Sequence, residues 1–143
     1  MSSFADDQAF AESLAKGSLA EITFERLAVN SGWWVKYRGD QYHLPISPKK
    51  KSVEGGDGTP DFELSRSIEF TKSIMVEVKF QSTLMRRGSA HRKGQEDFRV
   101  VLSPTGYSVY PERRQSELNI ADEDWNLAVR FLAKIFGKTD VAL

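Results

Sequence analysis

The chain has 143 residues, 40% hydrophobic and 28% charged, with twenty basic side chains, twenty acidic ones and no cysteine. That size and balance fit a single soluble domain over residues 1–143; they exclude a disordered chain, a disulfide scaffold, a thiolate metal site and a cysteine nucleophile. No apolar run is long enough to span a membrane, the opening "MSSFADDQAF" lacks a signal-peptide layout, and a cytoplasmic setting is expected.

In chain order, "DDQAFAESLAK" predicts a short helix stopped by Gly17. Ser18 then offers an N-cap for a second helix, "SLAEITFERLAVN", in which Leu19, Ile22, Leu27 and Ala28 recur at helical spacing. Asn30, Ser31 and Gly32 close it. "WWVKY" is short, aromatic and β-branched, and predicts a strand with one tryptophan buried and the other partly exposed. Residues 39–59, rich in glycine and proline, predict a long loop with at most a short strand near "YHLPI".

"DFEL" and "SIMVEVKF" predict the next two strands, with "IEF" between them as a candidate extension of their hairpin. Gly88 and Gly94 break residues 81–97 into a basic loop with a short helix near "GQED". "FRVVLS" and "YSVYPE" flank "PTG" as strand, turn and strand. Asp122 is placed as the cap of a last helix whose apolar face holds Trp125, Ala128, Val129, Leu132, Ile135 and Phe136. That face serves either as core or as a dimer interface. The order of elements makes a mixed α/β domain.

Side chains alternate across a strand, so Ile74, Val76, Val78 and Phe80 share one face of "IMVEVKF" while Met75, Glu77 and Lys79 share the other. In "DFEL", Phe62 and Leu64 oppose Asp61 and Glu63. Paired as neighbours, the two strands gather Asp61, Glu77 and Lys79. Carboxylates gathered this way repel unless a cation joins them, and oxygen-only ligands suit Mg²⁺ or Mn²⁺. The same residues also fit a plain surface, with Glu77 and Lys79 as an ion pair and Asp61 as a turn residue after Pro60.

The "PD" of "TPDF", a gap, and then the "EVK" of "VEVK" resemble the core of the PD-(D/E)XK (restriction endonuclease-like) nuclease superfamily. "KGSLAE", an apolar helix and Gly32 look like the opening of archaeal-type Holliday junction resolvases within it, on Lys16, Gly17, Glu21 and Gly32. The resemblance covers residues 16–38 and 59–80. It implies an αβββαβ core with a mixed central sheet flanked by helices. It implies further that Asp61 and Glu77 bind the divalent metal, with the Val78 carbonyl as an extra ligand. Lys79 would orient the attacking water and steady phosphate charge, and Glu21 would complete the site. For Glu21 a second reading stands, because "SLAE" is also a capping box in which the glutamate reaches back to Ser18.

Charge is unevenly spread: residues 36–114 hold fifteen bases against ten acids, while both ends are acidic. Lys49, Lys50, Lys51, Arg86, Arg87, Arg92 and Lys93 make basic patches that fit nucleic-acid contact or solvated loops. The implied activity is a metal-dependent endodeoxyribonuclease, structure-selective in the manner of a junction resolvase. Its DNA would be branched or duplex, and the enzyme a homodimer. The rivals are a restriction, repair or transposition nuclease and a catalytically silent nucleic-acid-binding module of the same fold.

Overall fold

One helix opens the chain where the sequence predicts two. In a computed structural model, which describes residues 4–38, 60–84 and 96–137, helix α1 runs unbroken over Phe4–Asn30. Gly17 lies inside it, among alanine, leucine, glutamate and lysine, whose strong helix propensity outweighs the roughly 1 kcal/mol cost of one glycine. Ser18 is therefore an interior residue and caps nothing, so the capping-box reading of Glu21 loses its basis. The buried stripe also differs from the expected one. Ala20, Phe24 and Ala28 are fully buried, whereas Ile22 is 53% exposed.

The helix ends where the sequence places its end. The Trp33 N–H bonds the Ala28 carbonyl and the Gly32 N–H bonds the Val29 carbonyl, each at 3.1 Å, which is a Schellman closure around Gly32 at φ +95°. The two glycines should respond oppositely to alanine. A Cβ on Gly17 meets nothing within 4 Å, so Gly17→Ala is expected to stabilise the fold by about 0.5–1 kcal/mol. Gly32→Ala must adopt a left-handed backbone and is expected to cost about 1–2 kcal/mol. Thermal melts of the two variants check both signs.

Five strands follow: β1 (Trp34–Tyr37), β2 (Phe62–Ser65), β3 (Ser73–Phe80), β4 (Phe98–Ser103) and β5 (Gly106–Tyr110). They form one mixed sheet in the order β1-β2-β3-β4-β5, antiparallel throughout except for the parallel β3–β4 pair. The turn between β4 and β5 falls at Pro104 and Thr105, as expected, with Ser103 opposite Gly106. "IEF" does not lengthen the β2–β3 hairpin. It lies in the turn, where Phe70 takes φ 53°. Glu96 and Asp97, the described half of "GQED", are not helical.

A 3₁₀ helix (Glu112–Leu118) leads into α2 (Asp122–Leu132), which passes into a π-helical turn (Ala133–Gly137). The N-cap of α2 is Ala121 rather than Asp122. Asp122, Glu123 and Asp124 occupy the first turn, where their charge complements the helix dipole without a capping bond. Both long helices join one core with the sheet. Phe24 meets Phe62 at 5.6 Å and Trp125 at 6.3 Å between ring centroids, and Val76, Val78, Val100 and Leu102 close around them. On α2, Trp125, Ala128 and Leu132 are buried, but Ile135 in the turn that follows is 49% exposed. Among the described residues no helix is long and apolar enough to cross a membrane.

Candidate active site

The site forms where β2 and β3 part. Their ladder runs from Ser65↔Ser73 to Phe62↔Val76 and stops, so the next pair in register would be Asp61 and Glu77. Asp61 is held there by both neighbouring strands. Its Oδ2 accepts the Val78 N–H at 2.9 Å, and its carbonyl accepts the Arg38 N–H at 2.6 Å. A side chain that takes over a strand N–H is fixed in place and spares the end of the ladder an unpaired donor. On β3, Lys79 lies two residues beyond Glu77 on the same face, with its Nζ 3.1 Å from Glu77 Oε2.

Helix α1 crosses this end of the sheet and brings Glu21 to it. The Tyr37 hydroxyl donates to Glu21 Oε1 at 3.1 Å, and the Asp61 carboxyl lies near enough for the two acids to shift one another. Glu21, Asp61, Glu77 and Lys79, which are spread over fifty-odd positions of sequence, thus meet at one corner.

Their electrostatics are those of crowded carboxylates. Burial pushes the Asp61 carboxyl up to about 8, helped by the charges of Glu77 and Glu21 and opposed by the Val78 N–H and Lys79. Glu21 is raised too, chiefly by burial and then by Glu77, while Tyr37, Asp61 and Lys79 pull it back. At neutral pH the Glu21–Asp61 pair therefore retains a proton. Glu77 is turned towards Lys79, and among the described residues no three acidic or histidine side chains close to metal-ligating distance.

Comparison with family models, with curated proteins and with solved structures returns no match for this chain.

Of the other expected site residues, Val78 enters the cluster through its N–H. Lys49, Lys50, Lys51, Arg86, Arg87, Arg92 and Lys93 lie outside the described residues.

Two residues at the corner are not among those the sequence pattern picks out. Tyr37 supports Glu21, and its ring lies 5.3 Å from that of Phe62. Alternation along "WWVKY" does put Tyr37 on the face of Val35, but only the register of β1 against β2, Tyr37↔Phe62, carries it to the site. Arg99 pairs with Glu77 across the parallel β3–β4 ladder and lies 3.6 Å from Glu96. Glu96 Oε2 and Arg99 Nε are buried and have no hydrogen-bond partner among the described residues. Nothing local in "EDFRV" announces that arrangement, because it depends on a crossover of more than a dozen residues.

Proposed function

We propose that this protein is a metal-dependent endonuclease with a restriction endonuclease-like core, hydrolysing phosphodiester bonds of DNA. The observation that carries the reading is the convergence of Glu21, Asp61 and Glu77 beside Lys79, with Asp61 pushed up to about 8 by burial and by the other two acids. A structural ion pair has no need of the third and fourth members. The order α1-β1-β2-β3 with β4 parallel to β3 also supports it, since it matches an αβββαβ core except for the helix before β4, whose place in the chain lies largely outside the described residues.

The donor set fits a hard divalent cation. Its side-chain donors are carboxylates only, and Asp61 keeps a proton because burial and the charges of Glu77 and Glu21 outweigh the pull of Lys79. Asp61 and Glu77 would hold Mg²⁺, or Mn²⁺ in its place, with the Val78 carbonyl as a further oxygen and Glu21 completing the set. Such an ion supplies the Lewis acidity that makes water a nucleophile at neutral pH and offsets charge on the phosphate.

The chain's own residues supply the rest. The Val78 N–H and the Arg38 N–H fix Asp61, and Tyr37 fixes Glu21, so the acids are positioned before substrate arrives. Lys79, 49% exposed, presents an ammonium that holds the attacking water and steadies charge on the phosphate oxygens. Water's oxygen forms the new bond to phosphorus as the bond to the leaving sugar oxygen breaks, and a proton passes to that oxygen.

A homodimer is part of the proposal. Leu127, Phe131 and Ile135 recur at one face of α2 and its extension and are 54%, 43% and 49% exposed, an apolar stripe of the kind two-fold contacts use. The structure-selective subclass rests on the likeness of "KGSLAE" to junction resolvases, and here Gly17 is interior to α1 rather than at its start.

A substrate panel therefore decides the subclass. Four-way junctions, flaps, duplex and single strands are incubated with Mg²⁺ or with EDTA. Cutting that needs Mg²⁺ and disappears in Glu77→Gln is the expected result. Equal cutting of all DNA would remove the junction preference and keep the nuclease. Binding without cutting of any substrate would favour the silent module.

A further inference from the structure

The two tryptophans at the start of β1 have different fates. Trp33 is fully engaged: its Nε1 donates to the Leu118 carbonyl at 2.8 Å, and the Arg66 guanidinium lies over its ring at 3.8 Å. Trp34 points the other way and is 48% exposed. Among the described residues it has no hydrogen bond and no ring contact. Across the sheet on its own face stand Ser65 and then Ser73, both small, so one side of the indole stays open. A large exposed ring held on a sheet beside small neighbours is a platform for another flat group.

The same face of β1 continues with Lys36 and then Arg38, at a spacing of about 7 Å per two residues. Both are exposed, and both are held in place. The Lys36 ammonium sits 4.4 Å from the centroid of Phe70, and Arg38 Nη1 lies 3.2 Å from Glu63 Oε1, which Ser73 also anchors through the other oxygen. The row ends at the acids, because the Arg38 N–H bonds the Asp61 carbonyl. One aromatic platform and two ordered cations thus form a line that runs into the corner of Glu21, Asp61 and Glu77.

We infer that the outer face of β1 is the seat of an unpaired DNA strand, with a base stacked on Trp34 and successive phosphates on Lys36 and Arg38. This rests on the nuclease reading for its purpose, but not for its binding. Paired bases present no free face to Trp34, so the surface favours single-stranded segments, such as those at branch points and flaps, over plain duplex. Lys36 and Arg38, the latter shared with Glu63, offer charge to a phosphate backbone, and the open ring commits the surface to one with exposed bases.

The test is binding in EDTA, where no cutting occurs. Fluorescence anisotropy of a labelled fifteen-nucleotide thymidine strand and of a duplex of equal length is measured on wild type, Trp34→Ala, Trp34→Phe and the Lys36→Ala/Arg38→Ala double variant. Trp34→Ala is expected to weaken single-strand binding by about tenfold or more, with Trp34→Phe within about threefold of wild type and duplex binding little changed. The double variant should lower the salt slope for the single strand by about 1.4. Matching far-UV spectra and melting temperatures control for folding.

Single-strand binding by Trp34→Ala equal to wild type would overturn the inference, and so would equal losses on both nucleic acids. If Trp34 governs binding while no substrate is cut in Mg²⁺, the surface stands and the nuclease reading falls. If DNA is cut while Trp34→Ala binds as wild type, the reverse holds.

Discussion

Asp61→Asn is expected to raise the melting temperature by about 3–10 °C at pH 8 in EDTA, while removing DNA cleavage. The amide keeps an oxygen for the Val78 N–H, now 2.9 Å from Oδ2, but carries no charge towards Glu21 and Glu77. In wild type, folding takes Asp61 from its ordinary value of 3.8 to about 8. Between those limits the folded state binds more protons than the unfolded one, so stability falls as pH rises from about 4 to 8. The stabilisation from the bound proton is thus complete below the unfolded value and lost as pH passes through about 8.

At pH 8 the ionised acid costs about 1–3 kcal/mol, which Asn removes. At pH 5 wild type already holds the proton, and the advantage of Asn should be small. Excess Mg²⁺ should raise the melting temperature of wild type at pH 8 and leave the variant where it was, since an ion that binds only the folded state stabilises it by mass action. Thermal melts from pH 5 to 9, with Mg²⁺ and with EDTA, test every sign. A variant less stable than wild type at pH 8, or one whose gain is larger at pH 5, would mean that the carboxylate is a structural asset.

That acid was legible in the sequence for a physical reason. Strand alternation has a period of two, so Glu77 and Lys79 must share a face once "SIMVEVKF" is a strand, and the neighbouring "DFEL" can only bring Asp61 beside them. Local patterns also fixed β1, β4, the turn at Pro104 and the closure at Gly32. Local pattern misleads where a weak local preference meets a stronger term. Gly17 reads as a stop because glycine disfavours helix, but that cost is small against burial of Ala20, Phe24 and Ala28 under the sheet. Asp122 reads as a cap, yet an acid at the first helical position interacts with the dipole nearly as well.

The contacts that local pattern could not supply are those set by the sheet as a whole. Tyr37 reaches Glu21 only because β1 pairs with β2 in one register, and Arg99 comes beside Glu77 only through a parallel pairing across residues 81–97. The first places a partner against an acid predicted from sequence, and the second sets an arginine opposite another in the ladder. The corner is therefore more heavily built than its short motif implies, with an acid from the helix, a phenol from the edge strand and, opposite Glu77, the Arg99 of β4 with its partner Glu96. Such surrounding support is what holds ligating carboxylates in one geometry.

Lys79→Ala is expected to lower cleavage about 10²–10⁴-fold without weakening metal binding. The two effects separate because Lys79 competes with the cation for Glu77. Its Nζ lies 3.1 Å from Glu77 Oε2, and removing it frees that carboxylate to turn towards Asp61. Mn²⁺ should bind Lys79→Ala as tightly as wild type or more so, whereas Glu77→Gln should lose about tenfold or more in affinity. Stability should hardly move, since a half-exposed ion pair contributes about 0–1 kcal/mol. Titration of Mn²⁺ by calorimetry, alongside single-turnover cleavage, reads the two effects independently. A Lys79→Ala protein that cuts within about threefold of wild type would remove Lys79 from the chemistry. One that loses Mn²⁺ as Glu77→Gln does would make the ammonium a prop for Glu77 rather than a partner of the phosphate. Loss of turnover with metal binding intact is the outcome that only a charge facing the reacting phosphate accounts for.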